Sequence, residues 1–163
     1  MLPEQRASLR QRLGGPNRRP VEQLVAAAET SARGLIDGFG EYARGALGTI
    51  GGLIGKLDNG SSVEDWRHLY TIVHDLRASS ATVGWQGISS VSASLERAIE
   101  ERDAQDRRMI KVVQLHHDGM RLLIGGGANS RAEWQGLITQ LASAVHCLPR
   151  KGEPAQVIAL RPR

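Results

Sequence analysis

The spacing of apolar residues constrains the fold of this chain more than any other feature. From residue 20 onward, apolar side chains recur every three or four positions, as one face of an α-helix requires, and no segment alternates apolar and polar residues as a half-buried strand does. Aromatic residues make up only 4% of the chain, so the core must be built from aliphatic residues and Met, which favours helices over a β-sandwich. The sequence therefore predicts an all-α protein.

Turn and capping signals divide this pattern into five predicted helices. The first starts at Pro20 and ends near Leu57, and the second runs from Val63 until Gly84 stops it. The remaining three run from about Ile88 to Arg102, from a cap at Asp103 or Asp106 to Gly125, and from about Trp134 to Leu148 before Pro149. Because short loops join antiparallel neighbours, we expect an up-down antiparallel helical bundle of four helices with an additional C-terminal helix.

The first predicted helix is rich in glycine, above all in GALGTIGGLIG over residues 45–55. Each glycine costs a helix interior up to about 1 kcal/mol relative to Ala, so either the helix kinks or breaks near Gly51 and Gly52, or another helix approaches it closely. The segment is shorter than the roughly 20 apolar residues that cross a bilayer, so we expect no membrane insertion. Its contribution to an oligomeric state is left open.

The basic character of the chain comes from its ends. The whole chain carries a net charge of +4, whereas its two ends together carry +7, which leaves −3 for residues 21–147. We predict flexible basic tails at residues 1–19 and 148–163 and one folded domain over residues 20–147. Because the excess charge lies outside that domain, and neither aromatic clusters nor a helix-turn-helix pattern accompany it, we expect no nucleic-acid partner.

The single cysteine, Cys147, and the polar N-terminus bear on the compartment. One thiol forms no intramolecular disulfide, and the first twenty residues lack the apolar stretch of a signal peptide. The sequence therefore predicts a cytoplasmic protein, with Cys147 as a small core residue. His116 lies on an apolar face and is predicted to be a hydrogen-bonded core histidine. Its neighbour His117 points about 100° away, so the two do not easily bind one metal ion, and no metal site is predicted.

The stretch IVHDLRASSATVG, from Ile72 to Gly84, carries the chemistry. On a helical wheel His74 lies about 120° from the centre of the apolar stripe, so its ring points to solvent or to a shallow groove. Arg77 and Ala78 follow it by three and four residues and share its face, as do Arg67 and Ala81 two turns away on either side.

These residue types suit the acceptance of a phosphoryl group. A neutral imidazole is a good nucleophile near pH 7, and a guanidinium stabilises the charge that spreads over the phosphoryl oxygens. Small residues such as Ala78 and Ala81 leave room for the loops of a partner that delivers the group.

The same residues resemble the signature of histidine-containing phosphotransfer (HPt) domains of two-component phosphorelays. The motif residues in register are His74, Leu76, Arg77, Ala78, Ser79, Ser80, Val83 and Gly84. The resemblance covers about residues 63–125, including the segments DWRHLYTIVHDL, SVSASLERAIE and VVQLHHDGMR. Ala78 stands where many members have Gly, and Arg77 where Lys is commoner.

The resemblance implies that His74 accepts a phosphoryl group from a receiver-domain aspartyl phosphate and passes it to another receiver. It further implies that Arg77 stabilises the phosphoryl group, and that Arg67, Thr71, Ala78 and Ala81 contact the partner. The implied partners are response-regulator receiver domains and possibly a hybrid histidine kinase. Mg²⁺ is expected on the receiver, so no cofactor is expected in this chain.

Such a protein forms phosphohistidine without turning over a small substrate, and no kinase lobe or phosphate-binding loop can be placed in the chain. Whether it counts as an enzyme is therefore left open. The alternative function is a helical binding module on the same scaffold that engages a response regulator or kinase without phosphotransfer. An exposed imidazole favours phosphotransfer, whereas a buried or blocked one favours the binding module.

Overall fold

The structure, a computed structural model, describes residues 21–60, 62–126 and 131–152. The predicted tail at residues 1–19, and residues 153–163 of the other, lie outside the described residues. The five helices are α1 (Val21–Asp58), α2 (Val63–Thr82), α3 (Gln86–Glu101), α4 (Arg107–Ile124) and α5 (Arg131–His146). The chain divides into two units between Asp37 and Gly38, and the second unit is an all-α helical bundle.

Local signals account for the ends of the central helices. Ser62 caps α2 in a capping box with Asp65, in which each side chain binds the other residue's backbone N–H. Asp106 caps α4 by accepting a hydrogen bond from the backbone N–H of Arg108. Gly84, after the end of α2, has φ +81°, a left-handed conformation that favours glycine. These ends agree with the turn signals in the sequence.

Successive helices of the second unit run antiparallel. Between α2 and α3, Tyr70 pairs with Glu100 while His74, one turn further along α2, pairs with Glu96, one turn earlier in α3. The α4–α5 pair is antiparallel as well. Leu123, late in α4, and Trp134, early in α5, both lie beside Gly87, whereas Leu137 and Leu141, further along α5, lie beside Gly119, earlier in α4. The predicted antiparallel arrangement of neighbours is therefore confirmed for these pairs.

A single core of aliphatic side chains fills the second unit. It begins at Phe39 in α1 and ends at Leu148. It includes the residues that the apolar spacing of α3 predicts to be buried, which are Ile88, Val91, Leu95, Ala98 and Ile99. The spacing of three and four residues predicts one buried face of α1, which includes Leu24, Leu35, Phe39, Tyr42, Ile50, Leu53 and Leu57. From Phe39 onward this prediction is confirmed for Ile50, Leu53 and Leu57, but Tyr42 is exposed. In the first unit, Leu24 and Leu35 were predicted for the same face and are exposed as well.

The glycines of α1 neither break the helix nor serve close packing in general. The helix is continuous through Gly51 and Gly52. A Cβ added at Gly51 would lie 3.5 Å from Nε2 of His117, an ordinary contact, whereas one added at Gly48, Gly52 or Gly55 would meet no described atom within 4 Å. Within the described residues, close approach of another helix therefore requires glycine at none of these four positions.

The packed part of the chain continues beyond residue 147, the predicted end of the folded domain. Leu148 is buried, and Lys151 donates hydrogen bonds from its backbone to Glu101 and from its side chain to the Ile99 carbonyl. These contacts hold the segment after α5 against the end of α3. Cys147, predicted to be a core residue, is exposed because it follows the last turn of α5 and lies outside the buried stripe.

None of the helices, over the residues described, combines the length and apolar character that crossing a membrane demands.

Candidate phosphoryl-acceptor site

The candidate site lies where α2 and α3 pack side by side. The antiparallel register places Tyr70, His74 and Arg77 of α2 opposite Glu96 and Glu100 of α3. Spacings of three and four residues put the three α2 side chains on adjoining turns of one side of the helix. The result is one hydrogen-bonded group of an imidazole, a guanidinium, a phenol and two carboxylates.

His74 combines an accessible ring with a fixed orientation. Its side chain is 56% exposed, and Nδ1 lies 2.8 Å from Oε1 of Glu96. An ionised carboxylate only accepts hydrogen bonds, so Nδ1 must carry the proton and donate it to Glu96. In the neutral ring this leaves the lone pair on Nε2, and no described residue forms a hydrogen bond with that atom. The geometry therefore presents Nε2 as a nucleophile.

Glu96 is the buried anchor of the group. Its side chain is only 6% exposed, yet it accepts a hydrogen bond from His74 and one of 2.5 Å from Nη1 of Arg77. Burial by itself raises the pKa of Glu96, but the hydrogen bonds from His74 and Arg77 outweigh burial and hold the pKa below its usual range. Glu96 is therefore a carboxylate at neutral pH.

Tyr70 supports the ring of His74 from one side. The two rings are stacked with centroids 6.0 Å apart and an angle of 18° between their planes. The hydroxyl donates to Glu100 at 2.8 Å and also lies 3.3 Å from Oε1 of Glu96. The hydrogen bond to Glu100, with some burial and the nearby carboxylates, raises the pKa of Tyr70 to about 12. Tyr70 therefore stays neutral and acts as a donor.

Arg77 is half exposed and shares its guanidinium between Glu96 and solvent. One N–H group donates to Glu96, which raises the pKa of Arg77, and the remaining N–H groups stay available. The position of Arg77 one helical turn from His74 places a fixed cation beside the nucleophile. The predicted phosphate-stabilising residue is thus adjacent to His74 but is also tied to Glu96.

The four residues predicted to contact a partner lie on one exposed stripe of α2. Arg67, Thr71, Ala78 and Ala81 are all exposed, and with His74 they follow spacings of three and four residues. Arg67 forms an ion pair with Glu64, and the Thr71 hydroxyl donates to the carbonyl of Arg67. The two alanines leave the C-terminal side of His74 without bulky side chains.

Sequence reasoning missed the two carboxylates and the role of Tyr70. The apolar spacing of α2 predicts Tyr70 on the buried face, and Glu96 enters the sequence pattern only within the HPt-like segment SVSASLERAIE. A signal was present, because Glu96 lies four residues after buried Ser92 and three before buried Ile99 and therefore belongs to the buried side of α3. A charged residue at such a position needs a partner of opposite charge.

The two adjacent histidines of α4 are structural. His116 is fully buried, with Nδ1 2.7 Å from the Val112 carbonyl and Nε2 3.0 Å from Oγ of Ser94, which confirms the predicted core histidine. His117 is also buried and bonds through Nε2 to the Leu47 carbonyl of α1. Among the residues described, no three His, Cys, Asp or Glu side chains form a group that could hold a metal ion.

Comparison with family models, with curated proteins and with solved structures finds no match to this chain. The chemistry of the site has to be inferred from its own residues.

Proposed function

We propose that this protein is a histidine phosphotransfer protein in which His74 accepts a phosphoryl group from the aspartyl phosphate of a receiver domain and passes it to a second receiver. The observation that carries this proposal is the pairing of an exposed imidazole with a buried carboxylate through Nδ1. That pairing leaves Nε2 as the reactive atom. The resemblance of residues 72–84 to the HPt signature agrees with the same function.

The proposed reaction joins the residues of this site to the aspartyl phosphate of a receiver. The lone pair on Nε2 forms the N–P bond while the bond between phosphorus and the aspartyl oxygen breaks and leaves its electron pair on the aspartate. The ring becomes cationic and keeps its Nδ1 proton in the hydrogen bond to Glu96. The carboxylate of Glu96 balances the positive charge of the ring. The free N–H groups of Arg77 stabilise the phosphoryl oxygens. Reversal of these steps on another receiver returns His74 to its starting form.

The proposed partners are receiver domains, which would bring Mg²⁺ with them, and a hybrid histidine kinase upstream is consistent with this role. Docking would take place over the exposed stripe of α2 around His74. The proposed setting is the cytoplasm, where receiver domains act. The exposure of His74 favours phosphotransfer over the binding module, which called for a buried or blocked imidazole.

The test is phosphotransfer from a panel of radiolabelled phospho-receivers to three forms of the protein. The forms are the wild type, His74→Gln, and His68→Gln, a matched control because His68 is another exposed histidine on α2. We expect acid-labile, alkali-stable label on the wild type and on His68→Gln and none on His74→Gln. If a receiver binds all three equally and transfers label to none, the protein is a binding module instead.

A further inference from the structure

A second group of cationic side chains lies on the opposite side of α3 from Glu96, where α3 meets α5 and the segment after α5. A groove of about 590 Å³ opens there. Its polar lining includes Arg97 and Arg102 of α3, His146 of α5 and Arg150, together with the hydroxyl groups of Ser90 and Ser94. Glu101 contributes one carboxylate to the lining, which Arg97 and Arg102 outnumber.

Arg102 is the residue that requires an explanation. It is 7% exposed, and its guanidinium makes one hydrogen bond, from Nη1 to the Leu148 carbonyl at 2.9 Å. Its Nε is buried without a partner, and among the described residues no carboxylate forms an ion pair with it. Burying a guanidinium without a counter-charge costs several kcal/mol, because the lost hydration is not replaced.

The backbone around Arg102 adds a second, independent observation. Arg102 and Arg150 face each other in an antiparallel bridge, which hydrogen bonds from Asp103 to Pro149 and from Lys151 to Glu101 hold in place. Directly opposed residues have Cβ atoms about 5 Å apart, so the two arginine side chains start from neighbouring positions on the backbone. The fold therefore brings two cationic side chains together at the edge of a groove.

Helix ends explain only part of this arrangement. Cations are favoured at helix C-termini, which accounts for Lys151 on the Ile99 carbonyl and for the single bond from Arg102 to Leu148. It does not account for the unpartnered Nε of Arg102. Nor does it account for Arg97, which lies in the interior of α3 and also faces the groove.

We propose that this groove binds a small organic phosphate monoester. Guanidinium groups match the paired oxygens of a phosphate, and the two of Arg97 and Arg102 favour a dianion over a singly charged carboxylate. The groove is much larger than a phosphate group alone requires, and Ile138, Ala142 and Val145 give it an apolar wall that suits an organic body. The bound phosphate satisfies the Nε of Arg102.

Phenyl phosphate is a suitable probe for isothermal titration of the full chain, with benzoate as the singly charged analogue of similar shape. We expect one phenyl phosphate per chain, and benzoate weaker by about tenfold or more. In nitrogen-detected NMR, the Nε–H signal of Arg102 should shift on addition of phenyl phosphate, since that group gains a partner.

Two groove variants and two controls make the test specific. Arg97→Met, at an exposed position, and Arg102→Met should each raise the dissociation constant for phenyl phosphate about tenfold or more. Lys111→Met removes an exposed charge from α4, outside the groove lining, and His74→Gln removes the acceptor, so both should bind as the wild type does. If Arg102→Met fails to fold, Arg97→Met still decides.

Three outcomes overturn the proposal. These are no binding of phenyl phosphate, binding that both arginine variants retain, and benzoate affinity equal to that of phenyl phosphate. In the first two cases Arg102 serves only the end of α3. Because His74→Gln is among the controls, failure of this groove to bind phosphate and failure of phosphotransfer at His74 are separate results.

Discussion

Glu96 links two side chains of α2, His74 and Arg77, to the buried side of α3. Its carboxylate sets which ring nitrogen of His74 carries the proton, and its burial keeps the ring in one orientation. Burial raises the pKa of Glu96, but the hydrogen bonds from His74 and Arg77 outweigh burial and keep Glu96 ionised. In the proposed reaction, the reactivity of Nε2 therefore depends on a residue that does not touch the phosphoryl group.

Replacing Glu96 with Gln tests this dependence. The amide nitrogen of Gln can donate to Nδ1 and so place the ring proton on Nε2, the wrong atom for attack. A hydrogen bond to a charged group contributes about 1.5–3 kcal/mol, so we expect phosphotransfer to slow about 10- to 100-fold. The measurement is single-turnover transfer from a phospho-receiver. Glu41→Gln, which removes an exposed carboxylate of α1, should transfer at the wild-type rate.

His116 makes the stability of the protein depend on pH. Burial lowers the pKa of His116 below its ordinary 6.5, against the smaller opposing effect of its bond to Val112. The unfolded chain therefore takes up a proton at a pH where the folded one does not. This contribution to stability is complete above pH 6.5 and declines as the pH falls toward the folded pKa, by up to about 1.4 kcal/mol per pH unit.

Urea unfolding of the wild type and His116→Gln at pH 8 and pH 5.5 measures that decline. The variant is neutral throughout, so it should lose stability at pH 8 but show a smaller difference between the two pH values. His68→Gln, at an exposed position on α2, should keep the wild-type difference. Equal pH dependence in wild type and His116→Gln would place the titrating group elsewhere.

At the scale of elements, the sequence predicts what is local and misses what depends on register. Bounds such as the cap at Asp106 and the stop at Gly84 follow from neighbouring residues. The exposure of His74 follows from the wheel of its own helix. Its bond to Glu96, 22 residues away, depends on how the turn between α2 and α3 sets their register. The exposed Leu24 shows the converse, since periodicity predicts a face but not whether anything covers it.

The glycines of α1 give a prediction at the same scale. Gly52 and Gly55 are exposed in the helix interior, and an added methyl group meets nothing at either position among the described residues. Changing both to Ala should raise the free energy of unfolding by about 0.5–1 kcal/mol per site, because Ala loses less backbone entropy. Urea denaturation measures the change.

Gly84→Ala is the matched control for that pair. Its φ of +81° disfavours a Cβ, so the same substitution should destabilise there by about 1–2 kcal/mol. If Gly52→Ala with Gly55→Ala instead destabilises the protein and changes its size in gel filtration, the glycines contact a second copy of the chain.

At the scale of the whole molecule, the core and the candidate site both belong to the unit that starts at Gly38. Its first buried side chain is Phe39, which packs edge-on against Trp85 with ring centroids 5.1 Å apart. The side chains of residues 23–36 are exposed. The residues that stabilise the fold and those that carry the proposed chemistry therefore lie in the same part of the chain.

A chain that starts at Arg33 should consequently keep both properties. It retains six helical residues before Phe39, so we expect its free energy of unfolding to stay within about 1 kcal/mol of the full chain and its labelling at His74 to be unchanged. Phe39→Ala in the full chain should cost about 3–5 kcal/mol, because it removes a buried ring from the core. A truncated chain as unstable as Phe39→Ala would mean that residues before Arg33 support the core. Loss of labelling without loss of stability would instead make those residues part of the surface that the phosphate donor recognises.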